Sequence, residues 1–364
     1  METSINGIGV VGGFGCGVSD LMDCLNRGVS PIPFFPGDSN TEAFYPAYVT
    51  DTSYLATVVP KRALRRIDHF SQLALTGAYL AINDAGLDSL DKQSTGLVIC
   101  SGYGSAKTTF SFLDSLIDFG DACASPTLFS NSVHNAAAGH ISIMLGLEGP
   151  CLTISQFEMS VPSGLLSAIQ WLKEDRVEQV LFGAVDEYCD VLGYCYQRYY
   201  GRSDNKIMAP FVTEQQSAIP GEGAAFFLLS KDKSINRNYG SIKSVKIGNI
   251  IDKEIIFPGD TFFILNADGH KDLDTGYNKL KLNGSEAACY TPLYGSLPVG
   301  SAFDMAVAGL SIRDRRFFSS AESVGDFDGN PVFREECIKN YRNISCVKVG
   351  RYGRLSIITL SENS

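Results

Sequence analysis

The 364-residue chain has one tryptophan and four histidines, and its ten cysteines include no CxxC pair. Without that paired spacing a zinc site has little support. No apolar run reaches the roughly 18 residues that a membrane-spanning helix needs. The opening METSINGIGVV has no basic stretch leading into a long apolar one, so no secretory signal is expected. The cysteines are then expected to be reduced and buried, in a cytoplasmic protein. Positive charge is also scarce: 30 Lys and Arg against 40 Asp and Glu leave a formal net charge of −10. Such a surface repels phosphate backbones, which argues against a nucleic-acid partner. It also repels acidic proteins, which would have to dock on a local basic patch or on another subunit.

What is present is a 45% hydrophobic share, enough for one large core or two fused halves. Residues 5–11, INGIGVV, read as a buried strand, followed by a glycine-rich turn and a helix around Val18–Arg27. Phe70, Leu73, Ala74, Gly77, Ala78, Ala81 and Ala85 recur at helical spacing, with small side chains that let another element approach closely, and Gly86 ends that helix. Further strands are expected in TGLVICSGYG, at 152–155, in VEQVLFGAVDE and in GEGAAFFLLS, with a mostly helical stretch over 105–147 and a helix over Ser163–Lys173 that has Pro162 at or near its start. A briefer second set comprises SVKIGNI, TFFILNADG, the helix SAFDMAVAGLSI, ISCVKVG and RLSIITL. Alternating strands and helices predict a mainly parallel, layered α/β fold. Two unequal halves are expected, 1–232 and 233–364, with a break near Lys231–Asn238.

Several motifs fail on context. GxGxxG at Gly7–Gly12 lies inside the predicted strand instead of following it, so a dinucleotide site is not expected. His134 and His140 are six apart and do not share a helical face as a ligand pair would. No GxSxG elbow is present. The informative stretch is Gly149–Trp171, GPCLTISQFEMSVPSGLLSAIQW, in which a short strand turns into a small-residue helix. That arrangement can hold a nucleophile at a helix N-terminus. Here the turn contains no cysteine, and Cys151, at the start of the strand, reads as packing.

At this stretch, and along nearly its whole length, the chain resembles the β-ketoacyl synthases of the thiolase fold. The matching pieces are INGIGVVGGFGCG, RRIDHFSQLALTGAYLAINDAGL, SNSVHNAAAGHISIMLGLEGP, PFVTEQQSAIPGEGAAFFLLS, TFFILNADGHKD, YTPLYGSLPVGSAFDMAVAGLSI and VKVGRYGRLSIITL, in the family's order. The resemblance implies a layered α-β-α-β-α fold built from two related halves. Active members share a cysteine nucleophile that carries the acyl chain and two histidines that assist decarboxylation and polarise the thioester. Aligned from the helix side (VPSGL), the cysteine position falls on Val161; aligned from the strand side (TISQFE), it falls on Glu158. The first histidine position falls on Asp268, with His270 expected as a surface residue of the following loop. The second falls on Ser296, or on Leu297 counted back from the helix. The glycine-rich gating loop of the family is altered to Gly350-Arg-Tyr-Gly-Arg.

In type II polyketide systems the loss of all three groups marks the chain-length factor, or ketosynthase-β, which pairs with a ketosynthase-α in a heterodimer. The resemblance thus implies no catalytic residue, cofactor or metal in this chain. The phosphopantetheine arm would come with an acyl carrier protein acting mainly through the partner. The family's gate residues would fall on Ala106, Thr109 and Leu113, with Phe110 and Phe112 adjacent, lining a tunnel whose obstruction sets chain length; a stripe at helical spacing is equally suited to plain packing. Only Ile251–Asp260 separates two strands between which active synthases carry a helical segment. That shortening and the irregular cysteine turn lean toward a polyene-type chain over an aromatic product. Two rivals remain: an active enzyme using Glu158 or Ser160 as nucleophile, and a purely stabilising subunit without a tunnel.

Overall fold

The computed structural model describes every residue except 1, 34–45, 202–206, 213, 215, 232–238, 251–254, 258–259, 328–331, 336–340 and 364, and the side chain of Cys123. The expected break near Lys231–Asn238 and much of the short stretch Ile251–Asp260 thus lie outside the described residues.

Nine strands carry the fold: β1 (Thr3–Gly12), β2 (Thr95–Ser101), β3 (Cys151–Ser155), β4 (Gln179–Asp186), β5 (Gly223–Ser230), β6 (Ser241–Asn249), β7 (Thr261–Leu265), β8 (Asn343–Val349) and β9 (Arg354–Ser361). They lie side by side in the order β7-β8-β9-β6-β1-β5-β4-β2-β3. Residues 3–230 build one wing and 241–361 the other, and the wings join through the pairs Thr3↔Ile242 and Ser4↔Ser241. The sheet is mixed, which corrects the expectation of mainly parallel strands. β2 runs parallel to β3 and β4, and β7 to β8, but β1 is antiparallel to both β5 and β6, as β4 is to β5 and β9 to β6 and β8. Strand–helix alternation sets how far the chain travels between strands. Direction depends on which strands become neighbours, and β1 pairs with strands remote from it in sequence.

The helices that matter here are α1 (Val18–Arg27), α2 (His69–Asp84), α3 (Ala106–Phe119), α4 (Pro126–Asn131), α5 (Ala136–Leu145), α6 (Ser160–Lys173), α7 (Asp190–Tyr200) and α8 (Gly300–Asp314). α6 packs on β2, β3 and β4 of the first wing and on β6 and β9 of the second, while α8 bridges β8 and β9 to β1 and β5. These two helices form the middle layer, and α2 covers the outer face of β1, β4 and β5. Gly7 and Gly9 of GxGxxG serve that outer contact. A Cβ on Gly9 would stand 2.1 Å from the Gly77 carbonyl oxygen, and one on Gly7 2.3 Å from that of Ala81. A strand and a helix can approach this closely only where side chains are missing. The architecture is α/β and thiolase-like.

β3 ends the sheet order and is partly exposed along its length, with Cys151 at the surface. Cys151 therefore does not pack inside, because its strand has a neighbour on one side only; Cys195 is exposed too. Among the described residues all cysteines are free, and no helix is long and apolar enough to cross a membrane.

Candidate functional site

The turn after β3 is tight enough to force Phe157 to a φ of 49°, in the left-handed region. Of the two residues expected at the nucleophile position, Val161 is fully buried in the main core. Glu158 faces the neighbouring loop instead, with Oε1 3.8 Å from Arg351 Nε. Asp268 follows β7, and Ser296 lies in the turn before α8. Ser296 Oγ stands 3.1 Å from Asp268 Oδ2. Lys348, on β8, puts Nζ 2.9 Å from the same carboxylate oxygen and 3.2 Å from the Asn266 carbonyl. Burial alone would raise the pKa of Asp268 and lower that of Lys348; their mutual attraction outweighs it in both, so the pair stays ionised.

His270 is buried, 3% exposed, which corrects its expected place on a surface loop. Tyr200 stacks on it with ring centroids 4.0 Å apart, and Ser296 Oγ lies 3.2 Å from its Nε2. This resembles an activated serine, but the bonds run the wrong way. Gln216 Oε1 accepts the Lys271 N–H at 3.2 Å, which turns the amide nitrogen toward His270 Nδ1, 2.7 Å away. Nδ1 therefore accepts, and the proton of the neutral ring sits on Nε2. Burial pushes the His270 pKa down to about 4, so the ring is neutral near pH 7. Nε2–H donates to Ser296, and Ser296 donates to Asp268. The imidazole has no free lone pair with which to take the serine's proton. Ser160 is no better placed: fully buried, its hydroxyl is held by the carbonyls of Ser101 and Phe157, each at 2.8 Å.

The surrounding space is filled by side chains. The hydroxyls of Tyr103 and Tyr196 are 3.3 Å apart. Arg351 hydrogen-bonds the Tyr200 hydroxyl and lies over the rings of Tyr199 and Tyr200, at 5.4 and 5.3 Å. Burial raises the pKa of Tyr103 (to about 12), Tyr196 and Tyr200, so these three phenols remain neutral. The cavity bounded by Tyr103, Tyr196, Ser296 and Leu297 amounts to about 10 Å³, close to the space of one water molecule.

The five expected gate residues lie on α3 and spread over several faces. Ala106 is buried; Thr109 Oγ1 bonds the carbonyls of Ser105 and Ser132, at 2.9 and 3.0 Å. Phe112 packs on Phe129 with centroids 5.4 Å apart, Leu113 is 43% exposed, and Phe110 lines a cavity between α3 and α7. Sequence reasoning missed Lys348, Arg351, Tyr103, Tyr196 and Tyr200. Lys348 and Arg351 did carry a signal, being two of the three charges, with Arg354, in the largely apolar terminal passage VKVGRYGRLSIITL. The tyrosines carried none, since they come from two separate segments.

The sequence profile of the family described as "Beta-ketoacyl synthase, N-terminal domain" matches residues 4–234. The 3-oxoacyl-[acyl-carrier-protein] synthase 2 of Coxiella burnetii is 25% identical over 262 residues, 67% of this chain and 61% of that protein. The granaticin polyketide putative beta-ketoacyl synthase 1 of Streptomyces violaceoruber is 26% identical over 250 residues, 64% of this chain and 59% of that protein. The chain thus spans about three-fifths of the length of these two relatives. Among solved structures, the ishigamide ketosynthase/chain length factor superposes with a TM-score of 0.82 at 17% identity, covering 100% of this chain and 99% of that one. At that identity the superposition shows the fold. Because the profile covers well over half of its length, the chain belongs to the β-ketoacyl synthase family.

Proposed function

We propose that this chain is a non-catalytic ketosynthase-like subunit, a chain-length factor, that pairs with an active ketosynthase and shapes the space in which an acyl chain on a carrier protein is extended. The observation that carries this reading is the chemistry at the three vacated positions. At the positions that the resemblance assigns to the thiol and two imidazoles are Glu158, against Arg351, or the buried Val161, then an Asp268–Lys348 ion pair and an unactivated Ser296; the cavity beside Ser296, Tyr103 and Tyr196 amounts to about 10 Å³. A thioester needs a thiolate to form and donors to polarise it.

Pairing with a second ketosynthase-fold subunit is favoured by the open edge of β3 and by large apolar side chains exposed on the helices of the same wing. Ile143 on α5 is 78% exposed and Ile117 on α3 is 79% exposed; Phe129 and Leu166 are exposed as well. A free strand edge and large exposed apolar side chains are what a subunit interface covers. Among the described residues, a basic cluster offers an acidic carrier protein a docking surface. Lys61, Arg62, Arg65 and Arg66 are all exposed, within six residues, on a chain of net charge −10. The phosphopantetheine arm would enter with that carrier protein.

The test uses the purified chain with malonyl- and acyl-carrier proteins. Mass spectrometry is expected to show no covalent acyl adduct, and co-expression with a ketosynthase partner is expected to give a stable heterodimer that makes product. An acyl adduct on the isolated chain would overturn the reading. The product of the pair distinguishes a polyene-type chain from an aromatic one.

A further inference from the structure

The turn between β3 and α6 presents a large side chain that its own backbone does not need. Phe157 is 53% exposed, and its φ of 49° is one that glycine adopts freely, whereas a β-carbon is crowded there. The turn is fixed by polar contacts on either side of the ring. Ser160 Oγ accepts the Gln156 N–H at 2.7 Å and lies 2.8 Å from the carbonyls of Ser101 and Phe157. Gln156 Oε1 accepts the Ser163 hydroxyl at 2.6 Å. The Phe157 ring itself meets Tyr103 edge to face, with centroids 6.0 Å apart, and that contact leaves about half of the residue bare. Glycine at 157 would suit this backbone better, so the aromatic ring has its use outside the subunit.

Its position says what it meets. Phe157 lies two residues beyond Ser155, the last residue of β3, and β3 ends the sheet order. Both end residues of that strand, Cys151 and Ser155, are exposed. The N–H and C=O groups of a free strand edge are completed by another strand. A lone peptide could supply one, but it would leave Ile117 and Ile143 of the same wing at 79% and 78% exposure. A whole subunit that lays its own outer strand along β3 covers the edge, and its surface then meets the turn in which that strand ends.

We propose that Phe157 is an anchor of the subunit interface, its ring entering an apolar recess of the ketosynthase partner beside that partner's outermost strand. This assignment rests on the proposed function and adds to it the residue on which the pairing turns. Aromatic side chains are enriched at interface cores, where a few residues carry most of the binding energy. The locked turn holds the ring in one direction before the partner arrives, so little freedom is lost on docking.

The test measures, by analytical ultracentrifugation, the affinity of the chain for a ketosynthase subunit that co-purifies with it, alongside the thermal midpoint of the chain alone. Phe157→Ala and Phe157→Gly are each expected to raise Kd about tenfold, equivalent to about 1.4 kcal/mol. Phe157→Leu, which keeps apolar bulk, should lose less. The thermal midpoint of the Phe157→Gly chain should stay level or rise, because glycine relieves the turn. A ring that served the fold would move both quantities downward together. Unchanged affinity in the Ala and Gly variants, or a midpoint that falls in step with affinity, would overturn the inference and leave the pairing standing. So would a loss confined to association of the chain with its own copies. If no ketosynthase co-purifies with the wild-type chain, the proposed function falls and the inference falls with it.

Discussion

At the scale of single residues, the most consequential feature is the ion pair of Lys348 and Asp268, whose side chains are 2% and 9% exposed. Two buried charges stabilise little as a pair, because desolvation offsets most of their attraction, but removing one strands the other. Lys348→Met is therefore expected to destabilise the fold by about 3–5 kcal/mol in urea denaturation. Adding Asp268→Leu should recover most of that loss. A single variant as stable as wild type would show that the carboxylate finds another partner or takes up a proton. Asp268 and Ser296 were legible from the sequence only as positions that the resemblance singles out. Their partners were not, because Lys348 is 80 residues from Asp268 along the chain, and His270 is buried only because α7 brings Tyr200 against it.

At the scale of elements, α3 presents two different faces. Lys107, Phe110, Ser111 and Asp114 look into the cavity between α3 and α7, while Leu113 and Ile117 are exposed. Ile117→Asp combined with Ile143→Asp should weaken association with the ketosynthase partner in size-exclusion chromatography. The thermal midpoint of the isolated chain should barely move, since exposed substitutions cost about 0.5 kcal/mol or less. Equal loss of stability and association would mean that these residues support the fold itself. Helix positions were readable from 3.6-residue periodicity: the small-residue face of α2 meets Gly7 and Gly9 as its composition suggested. Strand direction was not readable, nor was the exposure of Cys151. Both depend on neighbours, and a sequence pattern describes one strand at a time.

At the scale of the whole molecule, buried carboxyls set a pH dependence. Burial raises the pKa of Asp186 to about 6, Asp304 to about 7 and Glu187 to about 8, against about 4 in an unfolded chain. Below about pH 4 both states hold these protons, and the stabilisation is complete. As pH climbs toward 6–8 the folded state still binds protons that the unfolded chain has released, so stability falls. Asp268, held below its ordinary value despite burial by Lys348, acts oppositely and loses its contribution only at strongly acidic pH. The thermal midpoint is therefore expected to be higher at pH 5.5 than at pH 8.5 in differential scanning calorimetry. A midpoint that rises over that interval would mean that these acids are ionised in the fold.

The sequence by itself determined the family, the α/β class and the absence of a thiol in the turn before α6, because these follow from local residue identity and from motif order along the chain. Only the tertiary structure decided that Val161 is buried in the core while Glu158 lies against Arg351, that Ser296 donates to Asp268 and accepts from His270, and that little space is left beside Tyr103, Tyr196 and Ser296. Side-chain direction, proton position and cavity volume arise from contacts between distant segments, and linear order does not encode them.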